Sequence, residues 1–170
     1  MFMMIGNVLS VISVAFLILS CCVGDRRRVY QMQFAETAMC AASTAFFGAW
    51  SGLTTNAIAL YRNYKNMNDA FSHTDMIVTS VLTVAAGLIV NVNGLIGLIP
   101  IIATLEITYT NFYLKDVLRI KAGLLLNVAL WMIYFFLIGS VPAGLGQLLT
   151  LLMGLRSYFS YGHRKKAAAA

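Results

Sequence analysis

Charge is scarce in this sequence. Charged residues make up only 11% of the 170 residues, and only six residues are acidic. A soluble domain usually has about 25% charged residues, so a soluble globule of this composition would expose wide apolar surface to water. The hydrophobic fraction of 60% and the mean hydropathy of +0.81 point the same way. This composition excludes a soluble enzyme, a disordered tail and a nucleic-acid-binding module.

The sequence also lacks the motifs that carry most enzyme and metal chemistry. It contains no HExxH, GxGxxG, phosphate-binding-loop or Ser–His–Asp pattern. Its three cysteines have no metal-ligand spacing, and we interpret Cys21, Cys22 and Cys40 as small apolar packing residues rather than reactive thiols. We therefore expect no enzyme activity, no metal and no cofactor.

Long apolar runs occupy most of the chain instead. A transmembrane helix needs ~20 mostly apolar residues. The third run is short, and Arg62 interrupts its end. We predict an all-α integral membrane protein with seven transmembrane helices over these stretches: Phe2–Cys22, Val29–Gly48, Trp50–Tyr64, Asp75–Asn91, Leu95–Leu114, Val117–Gly139 and Ala143–Ser160.

The twelve basic residues indicate how the helices are oriented. When the chain is threaded through seven spans, all twelve follow the odd-numbered spans, whereas the opposite connections carry no charge. The positive-inside rule then places the N-terminus outside and the C-terminus in the cytoplasm. A six-span arrangement without the third stretch would put Arg62 and Lys65 on the other side. The basic excess thus reflects orientation, and we expect no nucleic-acid partner.

The first stretch is predicted to be a membrane anchor. No basic residue precedes it, and Asp25-Arg26-Arg27-Arg28 follows it, an order that argues against a cleavable signal peptide. At the other end, residues 163–170 form a basic tail that finishes in four alanines, which look like added residues without a function.

The sequence repeats itself at a spacing of 91 residues. We predict a first three-helix repeat in 1–70, a linker helix in 71–93 and a second three-helix repeat in 94–162. An odd linker helix lets the second unit enter the membrane the same way up as the first, so the repeats are parallel. The matching pairs are Gly6 and Gly97, Asp25 and Asp116, Arg28 and Arg119, Glu36 and Asn127, and Asn56 and Gln147.

Two stretches resemble a known family. They are FFGAWSGLTTNAIALYRN at Phe46–Asn63 and YLKDVLRIKAGLLLNVALWMIYFFLIGS at Tyr113–Ser140. The sequence resembles the YgjV-type family of bacterial inner membrane proteins, within the wider SWEET/PQ-loop (MtN3-like) superfamily, over most of its length. The resemblance implies a multi-pass protein of the inner, or cytoplasmic, membrane.

The same resemblance implies a SWEET-like 3+1+3 helix arrangement and solute transport by alternating access. Asn56, Gln147 and Trp131 are the positions that match the central pocket of SWEET transporters. The sequence departs from that pattern in the second span, where Cys40 matches Trp131. It also lacks the Pro-Gln dipeptide, because Pro100 is followed by isoleucine.

Two carboxylates fall within predicted spans, Glu36 in the second and Glu106 in the fifth. Ionisable groups at membrane depth are costly and are functional candidates by default. Each glutamate either couples protons or binds substrate, or it is a structural acid hydrogen-bonded to a neighbouring helix or paired with an arginine. Tyr109 lies three residues after Glu106 and shares its helix face.

Amide and aromatic side chains complete the candidate substrate site. Asn56 and Gln147 can both donate and accept hydrogen bonds, and they either line a pocket or hold helices together. Asn127 matches Glu36 in the repeat, so the pocket is predicted to be asymmetric. Trp131 lies one turn before Tyr134, where it either stacks on a flat ligand or packs in the core.

These features predict a carrier of a small polar solute that works by alternating access in a lipid bilayer. The alternative is a non-transporting membrane protein that assembles with, or regulates, a membrane partner. An intramembrane enzyme that uses Glu36 and Glu106 has the least support. A monomer and a homo-oligomer both fit the sequence.

Overall fold

The computed structural model describes residues 2–46, 50–91, 94–137 and 141–167. Over these residues the chain forms seven α-helices, which confirms the prediction of an all-α protein. The helices are α1 (Phe2–Cys22), α2 (Arg26–Phe46), α3 (Trp50–Met67), α4 (His73–Ile89), α5 (Leu98–Tyr113), α6 (Val117–Leu137) and α7 (Val141–Ala167).

Short polar turns separate the apolar helices. The backbone N–H of Arg28 donates to the Asp25 carboxylate over 3.0 Å, which stabilises the first turn of α2. Helix α4 begins with a capping box, in which the Ser72 side chain accepts from the Asp75 backbone and the Asp75 side chain accepts from the Ser72 backbone. Acidic residues therefore mark helix starts, as their position after apolar runs suggests.

Two of the helices are long and apolar enough to cross a membrane. They cover Met4–Cys22 and Val117–Leu137, and His73–Ile89 is a shorter apolar helix. The others are shortened or interrupted by charge: α5 has 16 residues, and α2 begins with three arginines. The prediction of seven spans therefore remains a prediction.

Helices that follow one another in the chain pack against one another. Helix α7 also packs against α1, and α3 also contacts α5. Helices joined by short connections run antiparallel, so successive helices alternate in direction. The last helix, α7, packs against the first, α1.

The connections rich in basic residues meet at one end of this bundle, which we call the basic end (residues 23–28, 65–75, 112–119 and 156–161). Arg26 pairs with Asp69 over 3.0 Å, and the Tyr161 hydroxyl donates to the Gly24 carbonyl over 3.4 Å. The rings of His73 and Phe112 lie 5.8 Å apart. The turns after α1, α3 and α5 and the last turns of α7 thus share one end.

The polar turns of the two halves match when the chain is shifted by 91 residues. Helix α1 ends at Cys22 and α5 at Tyr113, and the next helices begin at Arg26 and Val117. The two turns also share their backbone hydrogen bonds, from Val29 to Asp25 over 2.9 Å and from Ile120 to Asp116 over 3.0 Å. The start of α1 and the end of α3 have no counterpart at this shift.

The bundle is apolar outside and largely polar inside. Large apolar side chains such as Val11, Ile89 and Leu95 are more than two-thirds exposed. Buried side chains include Arg62, Asn111 and many hydroxyls. In water this distribution would be unfavourable, whereas lipid favours an apolar exterior.

Candidate functional site

Polar side chains from three helices meet in the interior, nearer the basic end. On α2 they recur at a spacing of three and four residues, which places them on one helix face. The same holds on α5, while on α3 they occupy the last turns. The residues are Tyr30, Gln33, Glu36 and Thr37 of α2, Arg62, Asn63 and Asn66 of α3, and Thr104, Thr108 and Asn111 of α5; we call them the arginine cluster.

Arg62 is the centre of this cluster and is only 6% exposed. Its Nε and Nη2 each donate to Asn63 Oδ1 over 3.3 Å, and Nη1 donates to Thr108 Oγ1 over 3.2 Å. A guanidinium has five N–H groups, so two remain without a protein acceptor among the described residues. No carboxylate of that part of the chain lies within 4 Å of Arg62.

Hydrogen bonds connect this cation to Glu36 through two side chains. Asn63 Nδ2 donates to Thr37 Oγ1 over 3.1 Å. The Thr37 hydroxyl lies 2.9 Å from Glu36 Oε2 and 2.7 Å from the Gln33 carbonyl, so it shares one proton between them. Ser13 of α1 donates to Glu36 Oε1 over 3.3 Å. Glu36 therefore belongs to the cluster without touching Arg62.

Several buried amide atoms in the cluster have no partner. Asn111 is fully buried, and neither its Nδ2 nor its Oδ1 has a hydrogen-bond partner among the described residues. Gln33, which is 4% exposed, leaves Nε2 without an acceptor. The Tyr30 hydroxyl donates to the Asn111 backbone carbonyl over 3.4 Å, so it does not satisfy the Asn111 amide. Unpartnered buried groups of this kind are rare and indicate a place for water or ligand.

Glu106 lies on α5 beside the cluster and lines a groove between α5 and α6. Its Oε1 accepts from Thr110 over 2.8 Å, and its buried Oε2 has no partner. The groove has a volume of about 560 Å³ and includes Asp116 and Arg119 at the basic end. Glu106 therefore lines a groove that extends to the basic end. It also interacts electrostatically with Arg62.

The predicted amides lie between helices. Asn56 Nδ2 donates to Cys40 Sγ over 3.5 Å, and Asn127 Nδ2 donates to the Ala103 carbonyl over 2.6 Å. Both contacts join neighbouring helices. Gln147 Oε1 is buried without a partner. These three residues are not brought into the hydrogen-bonded arginine cluster.

The predicted aromatic residues lie outside the cluster. Trp131 packs edge-on against Tyr134 at 5.7 Å, and Phe135 lies at the same distance. Tyr109 is 45% exposed and stacks on Tyr113 at 6.2 Å. Tyr109 shares a helix face with Glu106. That face is open to the outside of the bundle, because Glu106 lines an open groove.

The residues that form the cluster were mostly absent from the sequence-based set. Arg62 was interpreted as a charge at the end of the third span, yet α3 continues through it to Met67 and buries it. Tyr30, Gln33 and Thr37 lie at i, i+3 and i+7, and this spacing of polar residues on one helix face was the available signal.

An apolar exterior around a polar interior defines an α-helical integral membrane protein. The chain belongs to the Imp-YgjV family, described as "Bacterial inner membrane protein", whose sequence model matches residues 4–165. No curated protein and no solved structure matches the chain. The protein is therefore a bacterial inner membrane protein in contact with the lipid bilayer.

Proposed function

We propose that the protein is a carrier that moves a small polar solute across the inner membrane by alternating access. In this proposal residues 1–70 and 94–162 are parallel three-helix repeats, joined by the linker 71–93 in a SWEET-like 3+1+3 arrangement. All seven helices cross the membrane, with the N-terminus outside and the basic end in the cytoplasm. The two repeats rock against each other around a central solute.

The matching polar turns support the proposed repeat. Under exchange of the halves, the contact of α3 with α5 corresponds to the contact of α7 with α1, and both contacts are present. Burial follows the same shift of 91 residues, since Ser20 and Asn111 are both fully buried, as are Val29 and Ile120. A two-fold axis along the membrane normal would produce these correspondences.

The observation that carries the carrier proposal is the open hydrogen-bonding capacity around Arg62. Its hydrogen bond to Thr108 joins the first half to the second. Two guanidinium N–H groups and the amides of Gln33 and Asn111 remain available. A solute with acceptor oxygens would satisfy these donors, and its binding would hold the two halves together in an occluded state. Membrane-buried ionisable groups commonly mark such pathways.

The two carboxylates near one arginine support coupling of the proposed transport cycle to proton movement. Glu36 and Glu106 both interact electrostatically with Arg62. One cation can balance one carboxylate, so the other is favoured in its protonated form in a medium of low dielectric constant. Movement of the solute would change which carboxylate holds that proton. We assign the other predicted pocket residues to the half of the pathway farther from the basic end; they are Asn56, Gln147, Asn127 and Trp131.

The test is transport by the purified protein in liposomes. A panel of labelled solutes, sorted into acids, amides, sugars and amines, is offered with and without an imposed pH gradient. We expect saturable uptake of at least one class, lowered at least tenfold by Arg62→Lys because a lysine cannot reproduce the guanidinium fork. The matched control is Arg27→Lys, at an exposed arginine of the basic end.

Two results would contradict the carrier proposal. One is a complete absence of uptake and binding across the panel by protein that is folded in the vesicles. The other is co-purification of a stoichiometric membrane partner whose activity depends on this protein while no solute moves, which would favour a regulatory role.

A further inference from the structure

A second buried cation lies outside the arginine cluster. Lys121 is on the second turn of α6, at the basic end, and is only 2% exposed. Its Nζ donates to Ser157 Oγ over 3.1 Å and lies 5.0 Å from the centre of the Tyr161 ring. No carboxylate of the described residues lies within 4 Å of it. Its charge is therefore uncompensated inside the protein.

A groove of about 380 Å³ lies directly beside Lys121. We call it the lysine groove; it is lined by Cys22, Met153, Arg156, Ser157, Ser160 and Tyr161. Five of these residues lie on α7 at i, i+3, i+4, i+7 and i+8, which is one face of that helix. The side chains that hold the Lys121 ammonium, Ser157 and Tyr161, are thus part of the groove wall.

The polar groups around the lysine groove are mainly hydrogen-bond donors. Lys121 uses one of its three N–H groups on Ser157. Because Ser157 accepts that bond, its own hydroxyl proton is free to donate. Ser160 and Arg156 have no partner among the described residues, and Arg156 is exposed to the groove. The groove wall thus offers one cation, Arg156, and two hydroxyls, with Lys121 directly behind Ser157 and no carboxylate among the lining residues. This set suits a ligand made of acceptor oxygens that carries negative charge.

We propose that the lysine groove binds the phosphate group of an anionic phospholipid. The phosphate would lie between Arg156, Ser157 and Ser160, with the charge of Lys121 directly behind Ser157. Lys121 is four residues into α6, about 6 Å from the helix start, which is the depth of lipid head groups when the basic end lies at the membrane surface. Basic pockets between helices at that level are suited to anionic lipids.

The surface that continues from the lysine groove fits an acyl chain. Met153 and Leu149 lie on the same face of α7, one and two turns further from the basic end, and are 42% and 51% exposed. A phospholipid can bury its chain against them while its phosphate is held at the groove. A free phosphate ion would make no contact with this apolar surface, so we propose a phospholipid as the ligand.

Native mass spectrometry of the full-length protein tests the proposal. Protein in a mild detergent is titrated with phosphatidylglycerol or with phosphatidylcholine. We expect one phosphatidylglycerol to be retained in preference to phosphatidylcholine, whose choline cation would face Lys121 and Arg156. Arg156→Gln should weaken retention about fivefold, and Lys121→Gln/Arg156→Gln about 30-fold, since each basic group near the surface contributes a similar share.

The matched control is Arg27→Gln/Arg28→Gln, which removes the same charge from exposed positions at the same end. This pair should keep the lipid. Ser160→Asp tests the site without touching a buried residue, and it should abolish retention because it places a carboxylate beside the phosphate. Thermal unfolding of each variant verifies that it is folded.

Three outcomes would overturn the proposal. The first is equal retention of both lipids, and the second is equal loss of phosphatidylglycerol in the control pair. The third is displacement of the lipid by millimolar inorganic phosphate with the same dependence on Lys121 and Arg156, which would make the ligand a free anion. None of these results bears on solute transport, so the lipid site and the carrier proposal succeed or fail separately.

Discussion

Arg62 donates to the hydroxyl of Thr108 over 3.2 Å, and this bond joins a buried charge of α3 to α5 in the other half of the chain. Thr108 in turn donates to the Thr104 carbonyl over 2.7 Å, which fixes its rotamer. The acceptor of the guanidinium is therefore held in place by its own helix. Any movement of α5 relative to α3 has to break or stretch this bond.

Replacing Thr108 by valine removes the acceptor and keeps the side-chain shape. Thr108 is 1% exposed, so an Arg62 N–H would lose its partner inside the protein. We expect Thr108→Val to lower the free energy of unfolding by about 1–3 kcal/mol. Thermal unfolding in detergent measures the effect, and Thr74→Val, at an exposed residue of α4, is the control. Equal stability of the two variants would show that the bond contributes nothing.

Arg62→Lys keeps the charge but removes the fork that holds Asn63 Oδ1 through two N–H groups. We expect the affinity for the transported solute to fall at least tenfold, because lysine binds as a point charge. Folding should be retained. Solute-dependent stabilisation, measured as the shift in unfolding temperature with solute concentration, reports this loss directly. Undiminished stabilisation would remove Arg62 from the solute site.

Gly123 sets how closely α5 and α6 approach. A Cβ at this position would lie 2.3 Å from Thr110 Cγ2, and Thr110 cannot rotate away without losing its 2.8 Å bond to Glu106. We expect Gly123→Ala to cost about 1–3 kcal/mol of stability. Gly146→Ala is the matched control, since its Cβ would meet only Val14 at 3.8 Å. Similar unfolding temperatures for both variants would contradict this account of the packing.

Asp75 holds the start of α4 to the end of α3. Its carboxylate accepts from Ser72, pairs with Lys65 over 3.3 Å and accepts from the Tyr61 hydroxyl. We expect Asp75→Asn to cost about 1–2 kcal/mol, because the neutral amide loses the ion pair with Lys65 and the charge that strengthens the hydrogen bonds from Ser72 and Tyr61. Asp69→Asn removes a more exposed pair with Arg26 and should cost less than about 1 kcal/mol. Equal costs in thermal unfolding would count against this role of the Asp75 charge.

The pair of Lys65 and Asp75 also predicts a pH range. The side-chain hydrogen bond to Asp75 raises the pKa of Lys65. The stabilisation that Lys65 gains is therefore complete below about pH 10.4, the pKa of an unfolded lysine, and is lost as the pH rises through the higher folded pKa. The difference in unfolding temperature between wild type and Asp75→Asn should stay constant from pH 6 to pH 8. A decline across that range would assign the effect to another group.

Glu36 and Glu106 carry the coupling proton in the proposed cycle. We expect Glu36→Gln/Glu106→Gln to abolish the effect of an imposed pH gradient on uptake, because no carboxylate near Arg62 can then titrate. Exchange of solute at equal pH on both sides should persist. Uptake by the double variant that still follows the gradient would exclude these residues as the coupling groups.

Much of the fold could be predicted because charged residues separate the apolar runs from one another. The turn at Asp25 ends the first run at Cys22, and the turn at Asp116 begins α6 at Val117, as predicted. The predicted third span ends at Tyr64 with Arg62 interrupting its end, whereas α3 continues to Met67 and buries Arg62. A basic residue normally marks the end of a span, but a long side chain can also be buried where neighbouring helices supply acceptors.

The site was harder to predict because most of its residues, apart from Arg62, Glu36 and Tyr30, are polar without being ionisable. Gln33, Asn63 and Asn111 look ordinary one at a time, and only the packing of α2, α3 and α5 brings them together. Glu36 was found because a carboxylate in an apolar run is conspicuous. The spacing places Tyr109 on the helix face of Glu106, while only the neighbouring helices decide whether that face is inside.

The match of the polar turns at a shift of 91 residues does not extend to the buried charges. Met153 matches Arg62, and Lys121 matches Tyr30, so among the described residues a cation is buried on α3 in the first half and on α6 in the second. Arg62 is held by acceptors of α3 and α5, whereas Lys121 is held by Ser157 of α7. Similar turns thus support a different buried charge in each half, and a substitution at one cation leaves the other in place.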